Sequence, residues 1–114
     1  MPHFVIDCSE NVIALKSPNE IMQNVYDSAE STHLFEKGDI KVRINQFKYY
    51  NIGNTKEDFI HIFTNIMEGR TNTQKQNLSR KIISELILLF PSVPIISINI
   101  RDFDKYGYYN KSMV

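Results

Sequence analysis

Two helix-start signals, one in each half of the chain, limit what it can fold into. Ser17-Pro18-Asn19-Glu20 offers an N-cap hydroxyl, a proline at the first helical position and an acid three residues after the cap. Thr71 and Gln74 form a second capping box. Each signal precedes an apolar stripe at helical spacing. The first stripe is Ile21, Met22, Val25 and Ala29, ending near Ser31-Thr32. The second is Leu78, Ile82, Ile83, Leu86, Leu89 and Phe90, in a helix over about 72–90 stopped by Pro91 and Pro94. A helix with one apolar stripe has to bury it, so both require an apolar surface elsewhere in the chain.

Four strands flank these helices and provide that surface. Residues 2–8 contain the continuous apolar run Phe4-Val5-Ile6. Residues 40–50 alternate, with Ile40, Val42 and Ile44 facing one way and Lys41, Arg43, Asn45 and Phe47 the other. Residues 58–67 place Ile60, Ile62, Thr64 and Ile66 on one face and Phe59, His61, Phe63 and Asn65 on the other. Residues 94–103 set Ile96, Ile98 and Ile100 against Ser97, Asn99 and Arg101. Residues 9–16 read as a polar connection, Asn51-Ile52-Gly53-Asn54 as a turn, and the Tyr-rich tail has no clear assignment.

The expected fold is α+β: tandem β-α-β units in a four-stranded mixed sheet with two helices on one face. One domain spans residues 1–114, with units at 2–50 and 58–103 and a tail at 104–114. The other face, bearing Phe47, Phe59, Phe63, His61 and Asn45, stays uncovered in a single copy, which predicts an oligomer.

Composition excludes several classes of function. Net charge is zero, with 13 Lys and Arg against 13 Asp and Glu, which argues against nucleic acid as a partner. The charge is uneven, however. Residues 1–39 carry seven acids and two bases, and residues 40–114 six acids and eleven bases, an excess suited to a small anionic ligand or to a solvated face. There is no membrane-length apolar run and no secretory signal, so the expected location is the cytoplasm. The lone Cys8 and the unclustered His3, His33 and His61 lack metal-ligand spacing, and the histidines read as structural. No phosphate-binding glycine loop is present.

The chemistry points to Pro2. Removal of Met1 would leave a secondary amine at the head of a strand, able to act as a base near neutral pH; otherwise Pro2 simply starts an edge strand. Arg70 follows Gly69 at the end of the third strand and precedes a helix N-terminus, where anions are favoured. If the third strand runs antiparallel beside the first, Arg70 approaches Pro2 and can bind a carboxylate; the alternative is a surface arginine beside a cap. Lys41 and Arg43, side by side on the polar face of the second strand, suit either a ligand or an intersubunit ion pair.

The block Pro2-His3-Phe4-Val5-Ile6-Asp7-Cys8-Ser9-Glu10-Asn11 resembles the opening of the 5-carboxymethyl-2-hydroxymuconate Δ-isomerase family, in the tautomerase superfamily. The resemblance continues at Ile40-Lys41-Val42-Arg43, Gly69-Arg70 and Glu85-Leu86-Ile87. It implies a homotrimer with sites at subunit interfaces, no metal or organic cofactor, and the Pro2 amine as base. That base would move a proton in an unsaturated 2-hydroxy dienol carboxylate to give the conjugated keto acid. Arg43 and Arg70 would act in catalysis with Pro2, and Lys41, Arg43 and Arg70 would bind the substrate. Lys41 stands where the family usually has another arginine, which leaves bidentate binding there open. The chain is also shorter than is usual for the family, and its last ten residues match poorly. A trimer on the same scaffold that binds small carboxylates without catalysis is the alternative.

Overall fold

The structure is a computed structural model that describes residues 1–114. Its strands are β1 (Pro2–Ser9), β2 (Lys41–Phe47), β3 (Phe59–Met67) and β4 (Ile95–Phe103). Its α-helices are α1 (Glu10–Leu15), α2 (Pro18–Ser31) and α3 (Asn72–Leu89). The strands form one mixed sheet in the order β2-β1-β3-β4. β1 is parallel to β2, β3 is parallel to β4, and β1 and β3 pair antiparallel at the centre. Each parallel pair is joined through a long helix, as parallel strands require a crossover.

Both long helices start at the signalled positions. The Ser17 hydroxyl accepts from the Glu20 amide at 3.2 Å, with Pro18 in the first turn. At α3 the capping box is complete: Thr71 Oγ1 accepts from the Gln74 amide at 3.1 Å, and Gln74 Oε1 accepts from the Thr71 amide at 2.8 Å. A box of this kind satisfies two amides that the first helical turn leaves without partners.

One element differs from the sequence reading. Residues 10–15, expected within a polar connection, form the short helix α1, and Val12 is fully buried. The local sequence has no sustained apolar period, so the helix depends on tertiary contacts. Asp58, just before β3, accepts from the Ser9 hydroxyl and from the Asn11 side-chain amide, each at 2.8 Å. β2 also ends at Phe47 rather than at residue 50. After it, Gly53 and Asn54 sit at φ 55° and 66° between a paired Ile52 and Thr55. Two successive positive φ values turn the chain tightly, at a pair of residue types that tolerate them.

The core lies between one sheet face and α2 and α3. Phe4, Ile6 and Cys8 of β1 and Ile60 and Ile62 of β3 are sealed against Ile21, Val25 and Ala29 of α2 and Leu78, Ile82 and Leu86 of α3. The opposite face is open: Phe63 is 48% exposed and Phe47 38%. His61 contacts Phe63 edge-on at 4.4 Å and bonds Ser97 Oγ at 2.6 Å through Nδ1, while Asn45 donates to Asp7 at 3.3 Å. No helix is long and apolar enough to cross a membrane.

Burial raises the Cys8 thiol to about 11, with the Asp7 charge adding to the effect. A raised folded-state value favours the native state below the thiol's ordinary 9.0, and this contribution is lost as pH rises from there to about 11. The urea midpoint is therefore expected to fall over that range. Cys8→Ala, though less stable at neutral pH, should show a shallower fall, and equal slopes would contradict the assignment.

Candidate active site

The N-terminal end of β1 gathers side chains from four segments. Pro2 faces the helices and is buried. It pairs across the antiparallel ladder with Ile66, so β3 leaves the sheet beside the chain's amino terminus. Beyond Met67 the chain turns at Gly69, whose φ of 118° is a conformation that side-chain-bearing residues rarely adopt. The turn brings Arg70 back towards the start of β1. The Arg70 guanidinium is half-buried, donates to the Leu34 carbonyl at 2.6 Å and lies 5.2 Å from the centre of the Phe35 ring. Those contacts hold it in place and occupy one edge; its remaining N–H groups have no partner within the chain.

Lys41 enters from the other side. The parallel β1–β2 register sets it opposite His3, and its Nζ lies 3.0 Å from the Asp39 carbonyl and 3.6 Å from Met1 Sδ. The Asp39 carboxylate pairs with the Met1 amine at 3.5 Å. The amine therefore sits among Asp39, Lys41 and Arg70. Burial lowers its pKa most and Asp39 opposes this, while Lys41 and Arg70 add to the lowering; the result is below the ordinary 8.0.

Arg43 does not join this group directly. It projects from the open face of the sheet and bonds His3 Nδ1 through Nη1 at 3.1 Å. None of the chain's ion pairs involves Arg43, so it has no acidic partner within its own subunit. The His3 ring also meets Phe103 edge-on at 5.9 Å, and Phe103 packs against Tyr108 of the tail at 5.1 Å.

Of the residues singled out in the sequence, Lys41 and Arg70 meet at the Met1 amine next to Pro2, with Arg43 two residues beyond Lys41 and bonded to His3. Asp39 and His3 are additions. Asp39 had no motif to mark it. His3 could be recognised only once the β1–β2 register was known, because that register places it beside Lys41 and next to Arg43. No group of three or more His, Cys, Asp or Glu side chains is arranged to hold a metal ion. The clefts of the single chain lie elsewhere, and none is lined by Pro2, Lys41, Arg43 or Arg70. The cluster is an open, cationic corner of the sheet rather than an enclosed pocket.

The charges around the amine give opposite expectations for two substitutions. Asp39→Asn removes the one neighbour that favours the ammonium, so the amine's pKa should fall further. Lys41→Gln removes a cation, so it should rise. The pH dependence of amine acylation in protein that retains Met1 measures both, and a shift in the reverse sense for either would contradict this geometry.

Over residues 2–113 the chain matches the family model for CHMI: 5-carboxymethyl-2-hydroxymuconate isomerase. No curated protein sequence matches it. Among solved structures, it is similar to a 5-carboxymethyl-2-hydroxymuconate isomerase from Deinococcus radiodurans R1. The TM-score is 0.84 at 20% identity, covering 96% of this chain and 88% of that one. A 5-carboxymethyl-2-hydroxymuconate delta-isomerase gives a TM-score of 0.81 at 17% identity over 97% and 87% of the two chains. A wild-type fused 4-OT, a symmetric trimer, gives 0.79 at 14% identity over 96% and 93%. At these identities what the structures share with this chain is the fold. The family model, matched over nearly the whole length, carries the assignment: the chain belongs to the 5-carboxymethyl-2-hydroxymuconate isomerase family.

Proposed function

We propose that this protein is an isomerase of the tautomerase type that moves a proton within an unsaturated 2-hydroxy dienol carboxylate. The observation that carries the reading is the amino terminus itself, half-buried at the head of β1 with Lys41 and Arg70 depressing its basicity. In the active form Met1 is removed and the Pro2 amine takes over as base. It then lies one residue deeper into the sheet, between the same cations. A base that must also return its proton works best with a pKa near the operating pH, and burial beside cations brings an amine there.

The reaction balances without any other reactant. The neutral amine takes the proton of the substrate hydroxyl, and the released electron pair forms the carbonyl. The double bonds shift along the chain, and the remote carbon takes the proton back from the ammonium. Arg70 holds one substrate carboxylate with its free N–H groups, and Arg43 and Lys41 hold the other end and stabilise the negative charge that develops on oxygen. Lys41 does this as a point charge rather than as a planar fork.

The open sheet face, with Phe63 and Phe47 exposed and Arg43 lacking an acidic partner in its own chain, supports self-association; we propose a homotrimer acting in the cytoplasm. A neighbouring subunit would then wall in the corner that a single chain leaves open.

Intact mass of the active protein should correspond to loss of Met1; activity in protein that retains it would overturn the mechanism. Pro2→Ala should lower kcat on a 2-hydroxydienoate about a hundredfold or more, the usual scale for a lost general base. Arg43→Ala should both raise KM and lower kcat, because it removes a carboxylate ligand and a stabiliser of the developing charge. Carboxylate binding without any enol-to-keto conversion would instead identify a binding protein.

A further inference from the structure

His3 lies between the base and the arginine that the proposed mechanism uses, and that mechanism gives it no part. Its Nδ1 is 3.1 Å from Arg43 Nη1. A guanidinium can only donate, so this contact requires a lone pair on Nδ1 and places the single ring proton on Nε2. Arg43 rises from an exposed strand with no carboxylate of its own chain to hold it, and the His3 contact is its one side-chain hydrogen bond within the chain. An unrestrained arginine samples many rotamers, and holding it in one of them costs side-chain entropy at binding.

We infer that His3 is a positioning residue: its Nδ1 lone pair holds the Arg43 guanidinium ready for a substrate carboxylate. The inference rests on the proposed carboxylate-binding role of Arg43. A histidine suits this task better than an acid would. An Asp or Glu at the same place would neutralise the guanidinium and compete with the substrate, whereas a neutral ring fixes the arginine and leaves its charge available. The surroundings keep the ring neutral. It is partly buried and faces Arg43 and Lys41 from β2 and the chain amine, all of which lower its pKa below the ordinary 6.5. Across β3 it meets the uncharged Asn65, and from β4 the uncharged Phe103. Phe103 supports the ring from the side, so the ring has both a packing contact and a polar one, and these can be separated by substitution.

The probe is muconate, a conjugated dicarboxylate that offers both carboxylates but lacks the 2-hydroxyl proton and so cannot follow the proposed tautomerisation. His3→Phe keeps a ring against Phe103 but removes the lone pair, and should weaken muconate binding about tenfold, the scale of a hydrogen bond to a charged group. His3→Asn removes the ring but keeps an acceptor near the Nδ1 position, and should restore most of the affinity. With a reactive dienol, the loss in His3→Phe should fall on KM rather than on kcat. A purely packing role predicts the reverse order of the two variants. That order, equal weakening in both, or a Phe variant that binds like wild type overturns the inference.

Wild-type protein supplies a check that needs no variant. Its ring ¹⁵N spectrum at neutral pH should show the His3 proton on Nε2, and a proton on Nδ1 overturns the inference directly. The underlying reading fails separately, through a different arm. Wild-type protein that does not bind muconate, or binds it equally well after Arg43→Ala, removes Arg43 as a carboxylate ligand and the role of His3 with it.

Discussion

The antiparallel pairing of β1 with β3 at the centre of the sheet is the constraint on which the other features depend. It aligns Pro2 with Ile66 and Cys8 with Ile60, so the two strands run past one another along their whole length. At one end, the exit of β3 lies beside the amino terminus, and a glycine turn is enough to carry Arg70 to it. At the other, Asp58 at the entry of β3 reaches Ser9 and Asn11 and pins the start of α1. The same pairing sets the Ile-rich side of β3 beside the buried side of β1, so one continuous apolar surface receives both long helices. Reversing that one pairing would separate Arg70 from Pro2 and divide the core.

The corner at the head of β1 is electrostatically unbalanced. Lys41 and Arg70 both act on the amine, while Asp39 is the one acid that pairs with it. Concentrating like charges beside a half-buried group is unfavourable for the isolated chain, and such clusters occur where charge has a ligand to meet. A dicarboxylate would offset the excess cations. The Phe35 ring under Arg70 and the His3 lone pair on Arg43 both hold a guanidinium without neutralising it, so the positive potential survives folding.

Much of this was legible in the sequence, for local reasons. Ser17, Pro18 and Thr71 to Gln74 mark the helix starts because capping depends on residues adjacent in the chain. The alternation in residues 40–47 and 59–67 marks the two sheet faces because side chains switch sides at every residue. What escaped depended on contacts between distant segments. α1 forms because Asp58 and the core hold it, and nothing in residues 10–15 announces a helix. Asp39 matters through its closeness to the amine, and His3 through a register that a single sequence does not reveal. Arg70 was the intermediate case: its position could be anticipated only by assuming the strand pairing that the structure has. The tail was opaque because Tyr106 and Tyr109 stay exposed while Tyr108 packs on Phe103, and no sequence period separates them.

The central proposal is that a prolyl amine at the head of β1, made less basic by burial and by Lys41 and Arg70, is the base. The most direct measurement follows the Pro2 nitrogen by ¹⁵N NMR across pH in the Met1-processed protein and compares it with the pH profile of kcat/KM. The expected result is one pKa, below the range of about 7.7–8 usual for simple α-amino groups, that coincides with the acid limb of the rate profile. An amine that titrates at or above that range, or a rate profile indifferent to its titration, would contradict it.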